Sequence, residues 1–260
     1  MGQMYIDTRP NFGYNKLGDK MKERIIDNIK IFHCDILPST NRTALELDAE
    51  HLSAVVADRQ SGGRGRLGRS FFSPDGGLYM SVILDPRRIF CGLPFCTAAA
   101  ALAVKSALED FGVTGLSVKW VNDILLGGRK VCGILTEART ENGEIGRVVV
   151  GIGINLKEPR DGFPAEIRHK AGAINFNGDK LELAAAIVKR LGEHLTLDAR
   201  QIAEIYEGSL AHIGEVITVT DYADGQKAIS GTLLGVDENC YLRLELENGE
   251  VRHVCSGEII

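Results

Sequence analysis

Between Asp58 and Arg69 the chain sets four arginines, Arg59, Arg64, Arg66 and Arg69, against a single acid, and interleaves them with Gly62, Gly63, Gly65 and Gly68. Glycine lets backbone amides approach an anion closely, and each guanidinium presents a planar donor fork that fits phosphate or carboxylate. The chemistry this loop suits is capture of a small polyanion. Because its like charges repel and its glycines raise the entropy of ordering, it is expected to stay mobile until a ligand closes it. Phe71 and Phe72 follow immediately and add apolar surface. The plainer alternative is a solvated surface loop.

The same letters spell two phosphate motifs by coincidence. Gly63, Gly65 and Gly68 satisfy G-x-G-x-x-G, with Asp85 about 20 residues further on, as a dinucleotide site requires. Residues Gly63 to Ser70 also approximate a P-loop, with Arg69 where lysine is needed. Both motifs work only when the loop opens a helix, and Pro74, Asp75, Gly76 and Gly77 break any helix there.

The elements around the loop follow from patterning. Phe32 to Leu37 reads as a strand ending at Pro38, after which Ser39, Thr40 and Asn41 offer N-caps for a helix over Ala44 to Glu50. Ser53 to Ala57 and Leu78 to Leu84 are strands that strap the arginine loop from both sides. Thr97 to Phe111 is an alanine-rich helix closed by Gly112, and Leu116 to Trp120 resumes strand alternation, which makes Trp120 core packing rather than a stacking platform. Gly127-Gly128 and the Glu141 to Gly146 turn mark two hairpins, the second returning through Arg147 to Leu156 and offering an edge for a dimer. Leu181 to Leu191 and Ala199 to Tyr206 have helical periodicity. From Glu215 onward short strands alternate with turns at Asp224-Gly225, Asp237-Glu238-Asn239 and Asn248-Gly249, the pattern of a small β-barrel. Ahead of these, an amphipathic stretch from Lys16 to Ile29 is expected to form one helix.

Composition excludes several classes. With 260 residues, 44% of them apolar and 25% charged, the chain has enough apolar surface for a buried core. The longest apolar run, Ala98 to Val104, stops at Lys105, far short of the ~20 residues of a membrane span. The first residues show neither a secretory apolar region nor a myristoylation pattern, so a cytoplasmic protein is expected. Six scattered cysteines read as reduced core thiols, and no C-x-x-C or H-E-x-x-H occurs to support a protein-built metal site. Residues 212–260 carry three basic and nine acidic side chains, so they hold −6 of a net −5 and leave the remainder at +1. The arginine cluster is therefore a focused anion site within a balanced surface, not a nucleic-acid face.

Taken in order, Ser39-Thr40-Asn41, Gln60, Gly63 to Arg69, Lys119-Trp120-Val121-Asn122-Asp123, Arg129-Lys130 with Gly133-Ile134-Leu135, and Gly151 to Leu156 resemble the motif series of biotin protein ligases. The resemblance runs from Phe32 to the C-terminus, where Gly214-Glu215-Val216 and Ser256-Gly257-Glu258-Ile259 are also typical. It implies an α+β fold: a mixed sheet with flanking helices, of the class II synthetase-like biotin/lipoate ligase type, plus a small C-terminal SH3-like barrel. The implied organisation is an extension over 1–31, a catalytic domain over 32–211 and the barrel over 212–260. Two departures stand out: the family usually has proline at Val121, which leaves that loop less rigid, and often tryptophan at Phe71, which keeps a stacking face but loses an indole donor.

The resemblance implies ATP-dependent transfer of biotin to a lysine of a biotin carrier domain of a carboxylase or decarboxylase, through biotinyl-5′-AMP. Ser39, Thr40, Asn41, Gln60, Gly63, Arg64, Gly65, Arg66, Lys130 and Gly133 match biotin-contacting positions. Arg66, Arg69, Phe71, Asn122, Asp123 and Asn155 match nucleotide-contacting ones. Lys130, Arg66 and Arg64 are the catalytic candidates, with Arg69 assisting charge neutralisation. ATP enters as a co-substrate with its Mg²⁺, near Asp123, and no prosthetic group or protein-held metal is implied. Each residue keeps a plainer reading: Ser39 or Thr40 as a helix cap, Asn122-Asp123 as a turn, Gly151 and Gly153 as close-packing sites, Lys130 as a solvated hairpin end. Two other functions compete. A lipoate or octanoate ligase or transferase shares the architecture, and a biotin-sensing transcriptional regulator would need a DNA-reading module for which residues 1–31 are too short. No DNA or membrane partner is expected, the assembly is a monomer or homodimer, and deleting Glu215 to Ile260 is expected to impair turnover more than stability.

Overall fold

A computed structural model describes residues 5–7 and 21–260. The expected helix over Lys16 to Ile29 is absent from its described part, and Lys16 to Lys20 lie outside the described residues. After β1 (Tyr5–Asp7), the chain instead forms a hairpin of β2 (Lys22–Ile26) and β3 (Ile29–Leu37), turned by Asp27 and Asn28 at φ 48° and 63°. Asp and Asn tolerate that left-handed region, and two such residues in succession match the twist of antiparallel strands. β3 thus crosses the expected boundary at 31/32.

Helix α1 (Thr40–Glu46) starts earlier than expected, directly at Thr40, and leads through β4 (Ala54–Gln60) to the arginine strap and β5 (Leu78–Leu84). Helix α2 (Cys96–Asp110) is followed by β6 (Leu116–Lys119), β7 (Asp123–Leu126), β8 (Arg129–Glu141) and β9 (Glu144–Ile154). These strands form a nine-stranded sheet in the order β2-β3-β4-β5-β9-β8-β7-β6, with β1 beside the second half of β8. The β3–β4 and β1–β8 pairs are parallel and the rest antiparallel, so the sheet is mixed. The dimer edge expected at Arg147 to Leu156 does not exist, because β9 is hydrogen-bonded to β5 on one side and β8 on the other.

Every residue of β5 is buried, as a central strand covered on both faces must be. On one face lie α2 and α3 (Lys180–His194), whose alanines let them sit close to the sheet. Asp179 caps α3, and a reciprocal Asp198–Gln201 capping box opens α4 (Ala199–Glu207). On the other face α1 seats Ala44 and Leu45 against Val55, Ala57, Ile83 and Val149. Two arginines from the β8–β9 hairpin close its C-terminal end: Arg139 Nη1 donates to the Leu45 carbonyl at 2.7 Å and Arg147 donates to that of Leu47. The short helix carrying Ser39 to Asn41 is thereby anchored at its far end.

The C-terminal residues form a separate antiparallel sheet: β10 (Val216–Asp221), β11 (Lys227–Val236), β12 (Leu242–Glu245), β13 (Val251–Val254) and β14 (Gly257–Ile259), ordered β13-β12-β11-β10-β14. The expected α+β architecture with a small all-β C-terminal unit is met. The two sheets share one apolar core, in which Trp120, Val121 and Tyr206 meet Ile217, Leu233, Val236 and Leu242. The Trp120 indole, expected as core, is buried and donates to the Cys240 carbonyl at 3.0 Å. Cys34, Cys91, Cys96 and Cys132 are buried thiols, whereas Cys240 and Cys255 are only half-buried. Among the described residues no helix is long and apolar enough to cross a membrane.

Candidate active site

The strap after β4 is folded into its own hairpin. Phe71 N donates to the Gly63 carbonyl at 2.9 Å and Gly65 N to that of Arg69 at 2.7 Å, while Leu67 and Gly68, at φ 56° and 74°, turn the tip. Beneath it lies a cavity of about 640 Å³, floored by β8 and β9, walled by the start of α1 and rimmed by the C-terminal unit. That size suits a drug-sized or cofactor-sized ligand. Of the residues expected at the site, only Gly63 fails to line it. A Cβ on Gly63 would stand 2.5 Å from both the Phe71 carbonyl and the Ser73 hydroxyl, so this glycine closes the strap rather than touching a ligand.

One end of the cavity is neutral and polar. Gln60 Oε1 accepts from Thr40 N at 2.8 Å and Thr40 Oγ1 at 3.1 Å, and its Nε2 donates to Ser73 at 3.0 Å. The Ser81 hydroxyl lies 2.7 Å from Thr40 Oγ1 and donates to Asn41 Oδ1 at 2.6 Å. Ser39 is the N-cap residue of α1 by position, but its side chain makes no capping bond, and it faces the cavity. Gly151 is required here: a Cβ would come within 2.1 Å of Asn41 Oδ1.

Phe71 lies across the middle. Cβ atoms at Gly133 and Gly153 would stand 2.9 Å and 2.5 Å from its ring, which packs edge-on against buried Tyr79 with centroids 6.4 Å apart. The glycines of β8 and β9 thus make room for one aromatic side chain. At Val121 the loop is held without a proline ring: Val121 is buried, and its carbonyl accepts from the Tyr206 hydroxyl at 2.9 Å.

The other end gathers cations. Lys130 Nζ stands 2.6 Å from Asp123 Oδ1 and 5.8 Å from the Phe71 ring centre. Burial lowers the Lys119 ammonium from its ordinary value, opposed by Asp123 and Glu258 and reinforced by Lys130 and Lys170. Asn122 Nδ2 donates to the Ile134 carbonyl, and Asn155 Nδ2 to that of Gly172, each at 2.8 Å, so both amides are fixed to the hairpin and its neighbour.

The three strap arginines differ in what neutralises them. Arg64 Nη2 donates to Glu137 at 3.0 Å, and Arg69 pairs with Glu258 at 2.6 Å, which raises its pKa chiefly through that hydrogen bond. Arg66 has only neutral partners: its Nη1 donates to Asn122 Oδ1 at 3.3 Å and the Gly257 carbonyl at 3.2 Å, and its guanidinium stands 6.0 Å from the Tyr222 ring centre. Burial lowers its pKa despite Tyr222, Asp123 and Glu258 nearby, and its buried Nη2 has no hydrogen-bond partner. Arg66 thus lines the cavity as a half-buried cation without an ion pair of its own, and such a guanidinium is available to an anionic ligand.

Several lining or supporting residues went unread as site residues in the sequence. Glu137 and Ser81 looked like ordinary strand positions, and their partners are far away in the chain. Tyr222 and Glu258 belong to the C-terminal unit, where Glu258 falls in the Ser256 to Ile259 run, and Lys119 opens the Lys119 to Asp123 run, but spacing along the chain does not bring any of the three to the cavity.

The chain matches the family described as biotin/lipoate A/B protein ligases over residues 34–155 and the biotin protein ligase C-terminal domain over 212–260. It is 33% identical to a Bacillus spizizenii protein named bifunctional ligase/repressor BirA, over 88% of this chain and 73% of that one. It is 32% identical to a Paracoccus denitrificans biotin–acetyl-CoA-carboxylase ligase, over 77% and 88% respectively. The solved biotin protein ligase of Aquifex aeolicus with biotin and ATP superposes with a TM-score of 0.77, at 29% identity, over 88% of this chain and 97% of that one.

Proposed function

The chain belongs to the biotin protein ligase family, and from that premise we propose that it activates biotin with ATP and transfers it to a lysine of a biotin carrier domain. The observation that carries the reading is Arg66, a half-buried guanidinium without an ion pair, lining a cavity whose opposite end offers neutral hydrogen-bonding groups. An uncharged polar ring system fits the Ser39, Thr40, Asn41 and Gln60 end, and a carboxylate meeting a phosphate fits the cationic end.

In the first step the biotin carboxylate attacks the α-phosphate of ATP, a phosphorus–oxygen bond forms, and pyrophosphate leaves with the electrons of the broken bond. Two anions meet, so preorganised cations lower the barrier, and removing one such donor typically costs ~10²-fold or more. Arg66 and Lys130 serve that role, with Lys119 and Arg69 adding positive potential. Phe71 offers its face to the ligand, and the strap covers the mixed anhydride against water. In the second step the acceptor amine attacks the acyl carbon, AMP leaves, and the amine proton passes to solvent.

Asp123 and Glu258 are the carboxylates lining the cavity, and each already pairs with a cation, Lys130 and Arg69. Among the described residues no group of three or more His, Cys, Asp or Glu could hold a metal ion. In this reading Mg²⁺ belongs with the nucleotide, near Asp123, arriving and leaving as part of that substrate. Buried thiols and ATP consumption support a cytoplasmic setting, and the carrier domain belongs to a biotin-dependent carboxylase or decarboxylase.

Purified protein given biotin and ATP should release pyrophosphate and then label an acceptor lysine. Pyrophosphate release with lipoate in place of biotin would move the reading to the lipoate branch. Retention of DNA in a gel-shift assay at physiological salt would add a regulatory role that this reading does not include.

A further inference from the structure

Glu137 on β8 is 2% exposed, carries a charge, and has no part in the reaction just described. Its Oε2 accepts from two donors, Asn41 Nδ2 at 2.6 Å and Arg64 Nη2 at 3.0 Å. Those donors come from the two structures that bound the neutral end of the cavity, α1 and the strap. One buried carboxylate oxygen therefore joins the wall of the pocket to its lid.

A carboxylate only accepts, so it decides which way the Asn41 amide faces. The Asn41 Nδ2 is committed to Glu137 and to the Leu135 carbonyl at 3.2 Å, and Oδ1 is turned to the Ser81 hydroxyl. Gly151 lies close against that oxygen, where any side chain would collide with it. On the strap side, the buried Nε of Arg64 has no partner, so the charge of this guanidinium is compensated through Glu137. Losing one member of a desolvated pair leaves the other buried and unmatched, which costs more than the pair itself contributes.

Resting on the reading that biotin occupies this end, we propose that Glu137 is a positioning residue for biotin: it orients Asn41 in the wall and tethers the strap over the ligand through Arg64. Arg64 then acts as the closing hook of the strap, and the uncompensated Arg66 is left to face the reacting phosphate.

Glu137→Gln separates this role from a structural one. The amide is close to isosteric and can still accept from Asn41, but it offers no charge to Arg64. We expect the KM for biotin to rise about tenfold, with the KM for ATP and kcat at saturating biotin nearly unchanged. Trypsin should cut the strap of the biotin-bound variant faster than that of the wild type. Arg64→Gln should reproduce the biotin effect, and the double variant should be no worse than either single one, because both act through one contact. If Glu137→Gln fails to fold, Glu137→Asp, which keeps the charge but shortens the reach to Asn41 and Arg64, carries the same test with the same expected rise in the KM for biotin. An unchanged biotin KM in folded Glu137→Gln or Arg64→Gln, or fully additive single effects, overturns the proposal while the ligase reading stands. Wild-type protein that releases no pyrophosphate from biotin and ATP overturns both.

Discussion

Single side chains divide the labour of this cavity by how each charge is compensated. Arg64, Arg69 and Lys130 each face a carboxylate, and Arg66 does not. Replacing Arg66 by alanine should therefore slow pyrophosphate release by ~10²-fold or more while leaving biotin binding in the absence of ATP within a few-fold, as read by isothermal titration. Loss of biotin affinity with an intact rate would place Arg66 at the wrong end of the pocket. Gly151→Ala is the complementary case: a methyl group 2.1 Å from Asn41 Oδ1 must displace it, and overpacking of this kind costs about 1–3 kcal/mol. The expected result is a biotin affinity lowered about 10- to 100-fold with the ATP affinity kept, measured by the same titration. The strap arginines, the Lys119 to Asp123 run and the glycines of β9 were legible in the sequence because their types are unusual where they stand. Glu137 was not: within β8 a glutamate after Thr136 reads as a solvent-facing position, and only the fold brings Asn41 and Arg64 to it.

The strap is the element whose state decides whether the site is open. Its hairpin is closed by backbone bonds, among them Phe71 to Gly63 and Gly65 to Arg69, and its two legs are tied to different carboxylates, Glu137 in the large sheet and Glu258 in the C-terminal sheet. Burial alone would raise the Glu258 pKa, but hydrogen bonds from Arg69 and Tyr222 bring it below its ordinary value. A depressed folded-state pKa contributes stability above the unfolded pKa and loses it as pH falls through the folded value. The latch is thus complete near neutral pH and is released only as the pH falls below the usual carboxylate range. Tryptic cleavage after Arg66 or Arg69 should accelerate at neutral pH in Glu258→Gln and slow in the wild type when biotin and ATP are both added. Equal cleavage with and without ligands would mean that the strap is closed by the protein alone. Elements flanking the strap were readable from alternation and turn residues. The β2–β3 hairpin was missed because Lys22 to Ile29 carries a helix-like spacing of isoleucines, and the Asp27-Asn28 pair, whose left-handed φ values make the turn, was read through as helix surface.

At the scale of the whole molecule, the question is what joins two sheets of opposite charge balance. Ion pairs cross between them, Arg69 to Glu258 and Arg243 to Glu207, but partly exposed pairs of this kind are each worth at most about 1 kcal/mol. The apolar contact is larger: Trp120, Val121 and Tyr206 share one cluster with Ile217, Leu233, Val236 and Leu242. At about 1.5–3 kcal/mol for each large side chain kept from water, this contact outweighs the charges. Removing Glu215 to Ile260 therefore does not isolate a catalytic contribution, as the sequence alone suggested; it uncovers the core of the larger sheet. The truncated protein should melt far below the full chain, expose apolar surface to a hydrophobic dye, and lose turnover as a result. Trp120→Phe offers a gentler test of the same contact, since it keeps an aromatic side chain there while removing the donor to the Cys240 carbonyl and part of the buried ring system. It should lower stability by about 1–3 kcal/mol and leave the rate of adenylate formation within twofold. A truncated chain that melts like the full one would show that the shared core contributes nothing, and the C-terminal unit would then act on the strap through Glu258 alone.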